Sequence, residues 1–176
     1  MGPDTFIYKL FLLLHLGAAV IGFGSTFVFP VLGSKAKALG PTAPKEAYAI
    51  SHAAHEAGKI LATPFIYATG AIGLVLVATS DSVWKFNQLW IEIAVVLFVA
   101  AACLAGFLHN PNLKAMDGLS EKLASGQITP NPAGGPPMEV GELAERGQKA
   151  GAFGGMLHVL WFLMMIDMVW KPGAFG

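Results

Sequence analysis

Charged side chains are missing from long stretches of this chain. None lies between Lys9 and Lys35, none in residues 60–80 and none in residues 93–113. A fourth stretch, residues 150–166, contains only His158 as an ionisable group, with Asp167 and Lys171 just beyond it. An α-helix rises about 1.5 Å per residue, so roughly 20 apolar residues cross a hydrocarbon core of about 30 Å. The pattern predicts four membrane-spanning helices over about residues 6–32, 58–79, 89–108 and 152–170. A soluble bundle would need a polar stripe on each helix, and a membrane barrel would need short alternating segments. The stretches have neither, so the expected fold class is an all-α, integral membrane four-helix bundle forming one transmembrane domain.

The connections add detail. Pro44, after Thr42, is placed to open a helix that runs through Ser51, His52 and His55 into the second span. Pro64 should kink that span, because its ring meets the carbonyl of Ile60. Leu113, Met116, Leu119 and Leu123 have helical spacing and predict a short helix on the membrane surface. Residues 129–137 are rich in Pro and Gly and read as a break. A helix restarts near Met138, with Glu142 and Arg146, and Glu145 and Lys149, at the four-residue spacing of an exposed face, and runs on into the fourth span. Helices two and four are therefore expected to extend beyond the membrane.

An even number of spans puts both termini on one face with the loop at residues 80–88. Eight of the Lys and Arg residues (Lys35, Lys37, Lys45, Lys59, Lys114, Lys122, Arg146 and Lys149) lie on the side of the two longer loops; Lys9, Lys85 and Lys171 lie on the other. The positive-inside rule then places the long loops in the cytoplasm and both termini outside. Trp84, Trp90 and Trp170 gather at the terminal face, as an interfacial belt would. The first apolar stretch is too long for a signal core and is read as a retained helix.

Composition agrees with this picture. Hydrophobic residues make up 55% and charged ones 12%, about half the charged fraction of an ordinary soluble domain. Zero net charge gives no sign of a nucleic-acid partner. The single Cys103, inside the third span, excludes an internal disulfide and any cysteine-based zinc site. The chain carries no nucleophile elbow, P-loop or dinucleotide fingerprint, which speaks against the familiar enzyme classes.

Ionisable residues inside a span need a reason, since burying them is costly unless they are paired. His15 lies about nine residues into span one, and His158 about twelve residues from the outer end of span four, a depth difference of about 5 Å. If the two spans are neighbours, the imidazoles would face each other and suit axial ligation of b-type haem or binding of copper. Each histidine also has a plainer use, as a hydrogen-bond donor to a neighbouring helix. On the loop side, His52, His55 and Glu56 share a helical face, with His109 at a similar level. That set has the character of a metal site, although His-x-x-His pairs commonly sit on solvated faces. At the outer rim Lys9, Glu92 and Asp167 are expected to form ion pairs. Ala18 with Gly22, and Gly151 with Gly155, have the spacing that lets helices approach closely, within the chain, in a homo-oligomer or in a larger membrane complex.

The stretch Leu14-His15-Leu16-Gly17-Ala18-Ala19, the pairs Thr63-Pro64 and Thr69-Gly70, and the terminal Met168-Val169-Trp170-Lys171-Pro172 resemble features of an uncharacterised family of bacterial integral membrane proteins, domain of unknown function 2269. That family is distantly similar to the CopD-like four-helix membrane proteins and to a haem-pathway oxidase, in which membrane-embedded histidines are associated with metal or haem. The resemblance covers all four spans and implies a cofactor role for His15 and His158. The wider group often has a Trp after its first-helix histidine, where this chain has Val20-Ile21-Gly22-Phe23-Gly24. Three functions are therefore expected in turn. The first is haem or metal binding between transmembrane histidines for electron transfer or cofactor handling. The second is a cofactor-free accessory or structural subunit of a larger complex. The third is a small-solute or ion permeation protein.

Overall fold

The computed structural model describes residues 2–174. The fold is all-α, with no strand among the described residues. Seven α-helices follow one another: α1 (Phe6–Thr26), α2 (Phe29–Leu39), α3 (Pro44–Ala57), α4 (Thr63–Ala78), α5 (Leu89–Cys103), α6 (Asn110–Ser125) and α7 (Met138–Trp170). π-helical turns at Gly58–Ala62 and Leu104–His109 join α3 to α4 and α5 to α6. The helical runs Phe6–Leu39, Pro44–Ala78, Leu89–Ser125 and Met138–Trp170 are each long and apolar enough to cross a membrane. Their outward faces are apolar too: Val20 is 72% exposed and Val96 66%. Such surface suits lipid rather than water, and the protein is a multi-pass integral membrane protein.

Prolines account for the breaks. Pro30 lacks an N–H, and its ring would meet the carbonyl of Thr26, the residue at which α1 ends. The first span is therefore two helices rather than the single one expected over 6–32. Pro64 and Pro111 each stand in the first turn of a helix directly after a π-helical turn. Widening the turn moves the clashing carbonyl aside and lets the helix continue. Thus the helix expected around Leu113–Leu123 is not separate but prolongs the third run, and all four runs, not only the second and fourth, are prolonged. Pro44 opens α3, and the break over 129–137 with a restart at Met138 is as expected.

The described chain divides into two compact units. The first comprises Met1–Thr26, Lys59–Ala102 and His158–Gly176. In it α1 runs antiparallel to α4: Gly22 meets Ile66, and His15 meets Thr69 and Gly73. A Cβ on Gly22 would come within 2.8 Å of the Ile66 nitrogen, so the Ala18–Gly22 spacing serves packing inside the unit. α4 meets α5 where Gly70 leaves room for the ring of Phe98. α7 runs antiparallel to α1, with Phe23 stacked on Trp161 at 5.6 Å. The loop after α4 is held by Ser80, which is fully buried; its hydroxyl accepts from Trp84 N–H at 2.9 Å and lies within donating distance of the Val77 and Trp84 carbonyls.

The second unit comprises Phe27–Gly58 and Cys103–Leu157. His52 Nδ1 lies 3.1 Å from the Asp117 carboxylate, linking α3 and α6. The Asn112 side chain donates to the Arg146 carbonyl at 2.9 Å, linking α6 and α7. The 129–137 loop is closed at its neck: Met138 N–H donates to Thr129 O at 3.2 Å, while Thr129 N–H and hydroxyl donate to the Glu139 carboxylate at 3.0 and 2.7 Å. Gly134 and Gly135, at φ 78° and 97°, supply the left-handed backbone at its tip. Arg146–Glu142 and Lys149–Glu145 form the expected four-residue ion pairs at 2.8 and 2.6 Å. No Cβ contact awaits Gly151 or Gly155, so that second small-residue pair packs against nothing within the described residues.

Candidate functional site

Three ionisable groups within the apolar runs of the first unit bear on a site: His15 and Asp167, which are buried, and His158, which is half-buried. His15 is 7% exposed, and its Nδ1 lies 2.9 Å from the Thr69 carbonyl oxygen. A carbonyl only accepts, so Nδ1 carries the proton and Nε2 keeps its lone pair. Gly73 makes the space: a Cβ there would stand 3.1 Å from the imidazole Cε1. Thr69 adds no competing polar group, because its hydroxyl donates back to Phe65 O at 2.8 Å.

His158 is arranged oppositely. Its Nε2 lies 3.0 Å from the Thr26 hydroxyl, which itself is 2.6 Å from Phe23 O. The Thr26 hydroxyl thus bridges the Phe23 carbonyl and the imidazole Nε2, which is engaged in this contact in either tautomer.

These two contacts also fix the levels of the histidines. Thr26 and His15 belong to one continuous helix, eleven residues and about 16 Å apart along its axis. The helices carrying the histidines are neighbours, but the imidazoles meet α1 and α4 at different heights. Depth counted from the span ends assumed that α1 and α7 finish in one plane. The Phe23–Trp161 stack sets another register. A shared iron or copper between His15 and His158 does not fit this geometry, since both nitrogens would have to reach one atom.

The metal set expected at His52, His55 and His109 is not assembled either. His52 turns its Nδ1 to Asp117 and lies tilted by 33° against the Tyr48 ring, 5.2 Å between centres. His109 lies in a π-helical turn with its ring 3.8 Å from the position of a Gly154 Cβ. Among the described residues no three His, Cys, Asp or Glu side chains stand close enough to hold one ion.

The third position is Asp167. It is 6% exposed, and neither carboxylate oxygen has a hydrogen-bond partner. The expected rim pairs with Lys9 and Glu92 do not form; both of those side chains are exposed. Lys171, one turn on, is directed elsewhere: its ammonium lies 4.4 Å from the centre of the Trp84 ring and 5.4 Å from that of Trp90, a T-shaped pair 5.3 Å apart. Asp167 borders a groove of about 320 Å³ between α5 and α7, whose other walls are Ile93, Leu97, Leu163, Ile166, Trp170 and Pro172. A carboxyl at such a place costs on the order of several kcal/mol unless something completes it. Residue type alone marks Asp167 as notable; its isolation depends on where Lys171 points.

Compared with known protein families, with curated proteins and with solved structures, the chain matches none.

Proposed function

We propose that this protein is a cofactor-free accessory subunit of a larger assembly in a bacterial cytoplasmic membrane, with both termini outside and the long loops in the cytoplasm. The observation that carries this reading is the incomplete site at Asp167: a buried carboxyl with no hydrogen-bond partner among the described residues, beside an apolar groove. Within the chain, His15 and His158 act as fasteners between helices, at two levels. The lysines of the loop side support the orientation, and the motifs around His15, Thr63-Pro64 and Trp170 are what supports a relationship to the uncharacterised family that they resemble. Purification in mild detergent from its own membranes tests the reading. A fixed, stoichiometric set of partners that persists in His15→Ala is expected; a protein that runs alone overturns it.

A second reading is favoured by the tautomer of His15. Its Nδ1–H is held by a backbone carbonyl, the arrangement that metal-binding histidines use to present Nε2. In this reading His15 supplies one ligand to b-type haem or copper, and the remaining ligands come from a partner. The group would supply one-electron chemistry; the chain's own part is to fix the imidazole against Thr69 and Gly73. A Soret band or bound copper in the purified complex, lost in His15→Ala and kept in His158→Ala, supports it. The absence of both after growth with ample haem and copper overturns it.

A further inference from the structure

The chain passes between its two units once in each apolar run, at residues 26–27, 58–59, 102–103 and 157–158. In three of the runs the helix is irregular at that place. Residues 27 and 28 form a turn between α1 and α2. The π-helical turn Gly58–Ala62 contains the second passage, and the turn Leu104–His109 begins directly after Cys103 at the third. Helices bend where the regular hydrogen-bond ladder is broken or widened. Pro64 and Pro111 explain why each turn is widened, but not why the widened turns coincide with the passages.

The fourth run has no break, since α7 is continuous from Met138 to Trp170. Its weak point is one of composition. Gly151 and Gly155 stand within two turns of the passage at 157–158, and a Cβ on either would meet nothing within 4 Å among the described residues. Gly106, inside the third run's π-helical turn, is open in the same way. Glycine weakens a helix, and packing explains it at Gly22, where the backbone of Ile66 comes close. At Gly106, Gly151 and Gly155 no such neighbour is present, and what glycine supplies is ease of bending. Within each unit, by contrast, the helices are tied to one another. His15 bonds to Thr69, and Phe23 stacks on Trp161, in the first; His52 meets Asp117, and Asn112 donates to Arg146, in the second. Bending therefore concentrates at the passages.

We propose that the four passages form a hinge, on which the unit comprising Phe27–Gly58 and Cys103–Leu157 swings as a rigid body. Hinge motions are absorbed by a few residues at the ends of elements, which is where these irregular turns and open glycines lie. The hinge belongs to the chain itself and is independent of the accessory-subunit reading above.

Spin labels on the full-length protein in lipid nanodiscs test it, in a Cys103→Ser background that removes the single native thiol. Cysteines are introduced in pairs at exposed helical positions: Val20 with Val169 inside the first unit, Lys37 with Glu121 inside the second, and Val20 with Glu121 between them. Electron double resonance reads the distance distributions. Narrow distributions are expected for the first two pairs, and one about twice as wide, or split in two, for the third. Gly106→Ala, Gly151→Ala and Gly155→Ala together should narrow the third to the width of the others and leave the first two unchanged. Should that triple variant fold poorly, Gly151→Ala with Gly155→Ala decides by the same criterion, with a partial narrowing expected. A third distribution as narrow as the others in the unsubstituted glycine background overturns the hinge. So does a width that the alanines do not alter, or equal broadening of all three pairs. An already narrow third distribution, with alanine variants that lose a co-purifying partner, overturns the hinge and assigns the glycines to a partner's helix.

Discussion

The Nε2 of His158 lies 3.0 Å from the Thr26 hydroxyl, which in turn lies 2.6 Å from the Phe23 carbonyl oxygen. The relay ties the middle of α7 to the last residue of α1 and sets the height of His158 well away from His15. Most of what distinguishes a fastening histidine from a ligand here lies in that chain of contacts.

If the histidines are separate fasteners, their losses should add. Interhelical hydrogen bonds in membranes are worth about 0.6 kcal/mol on average and about 1.7 kcal/mol at most. His15→Ala and His158→Ala should each destabilise the protein at least to that degree. The double variant should equal the sum within about 0.5 kcal/mol, as for distant sites. Unfolding in mixed micelles measures all three, and strong non-additivity would point to one shared ligand instead.

Thr26→Val should remove most of the stability contributed by the His158 imidazole, because the valine offers it no hydrogen-bonding group. Combined in a cycle with His158→Ala, it should give a coupling of about 0.6–1.7 kcal/mol. Zero coupling would mean that the contact is incidental.

Gly22→Ala and Gly151→Ala should differ sharply. A methyl on Gly22 meets the backbone of α4, which has no rotamer to yield, and overpacking of this kind costs about 1–3 kcal/mol. A methyl on Gly151 meets nothing within the described residues, so its effect on the unfolding of the isolated protein should stay within about 0.5 kcal/mol.

Ser80→Ala should loosen the turn that presents Trp84. It leaves the Trp84 N–H without its acceptor inside a fully buried turn, at a cost of about 1–3 kcal/mol. Tryptophan emission should shift to longer wavelength as the Trp84–Trp90 pair opens, and an unchanged spectrum would rule out this role for the serine.

Glu139→Ala should expose the 129–137 loop to protease, since its carboxylate is the acceptor for both Thr129 donors at the neck. Cleavage within the loop should speed up in limited proteolysis of detergent-solubilised protein, while the four apolar runs stay intact. Glu139→Gln, which retains one acceptor oxygen, should fall between the two.

Much of the fold was legible because it depends on local facts. Lengths of uncharged sequence gave the four runs; Pro44 and Met138 marked helix starts; Glu142 with Arg146 and Glu145 with Lys149 were pairs along one helix. The misreadings came where a proline's effect depends on the turn before it. Pro30 ends α1, whereas Pro64 and Pro111 are carried through by π-helical turns. The candidate sites were legible only as residue types. His15, His158 and Asp167 stood out as ionisable groups in apolar surroundings, but their partners did not: a backbone carbonyl at Thr69, a threonine at a helix end and, for Asp167, none among the described residues. Neither the carbonyl of Thr69 nor the space at Gly73 leaves a mark in the pattern of residue types.

The number of membrane crossings, their apolar character and the scarcity of ionisable groups within them follow from the sequence by itself, because a bilayer imposes one length and one polarity on every segment that crosses it. Which level each histidine occupies, and whether an acid meets its neighbouring base, were decided by packing. Helix register is set by side-chain contacts such as Phe23 on Trp161, and a single left-handed residue at Lys171 was enough to send a cation to two indole rings instead of to Asp167.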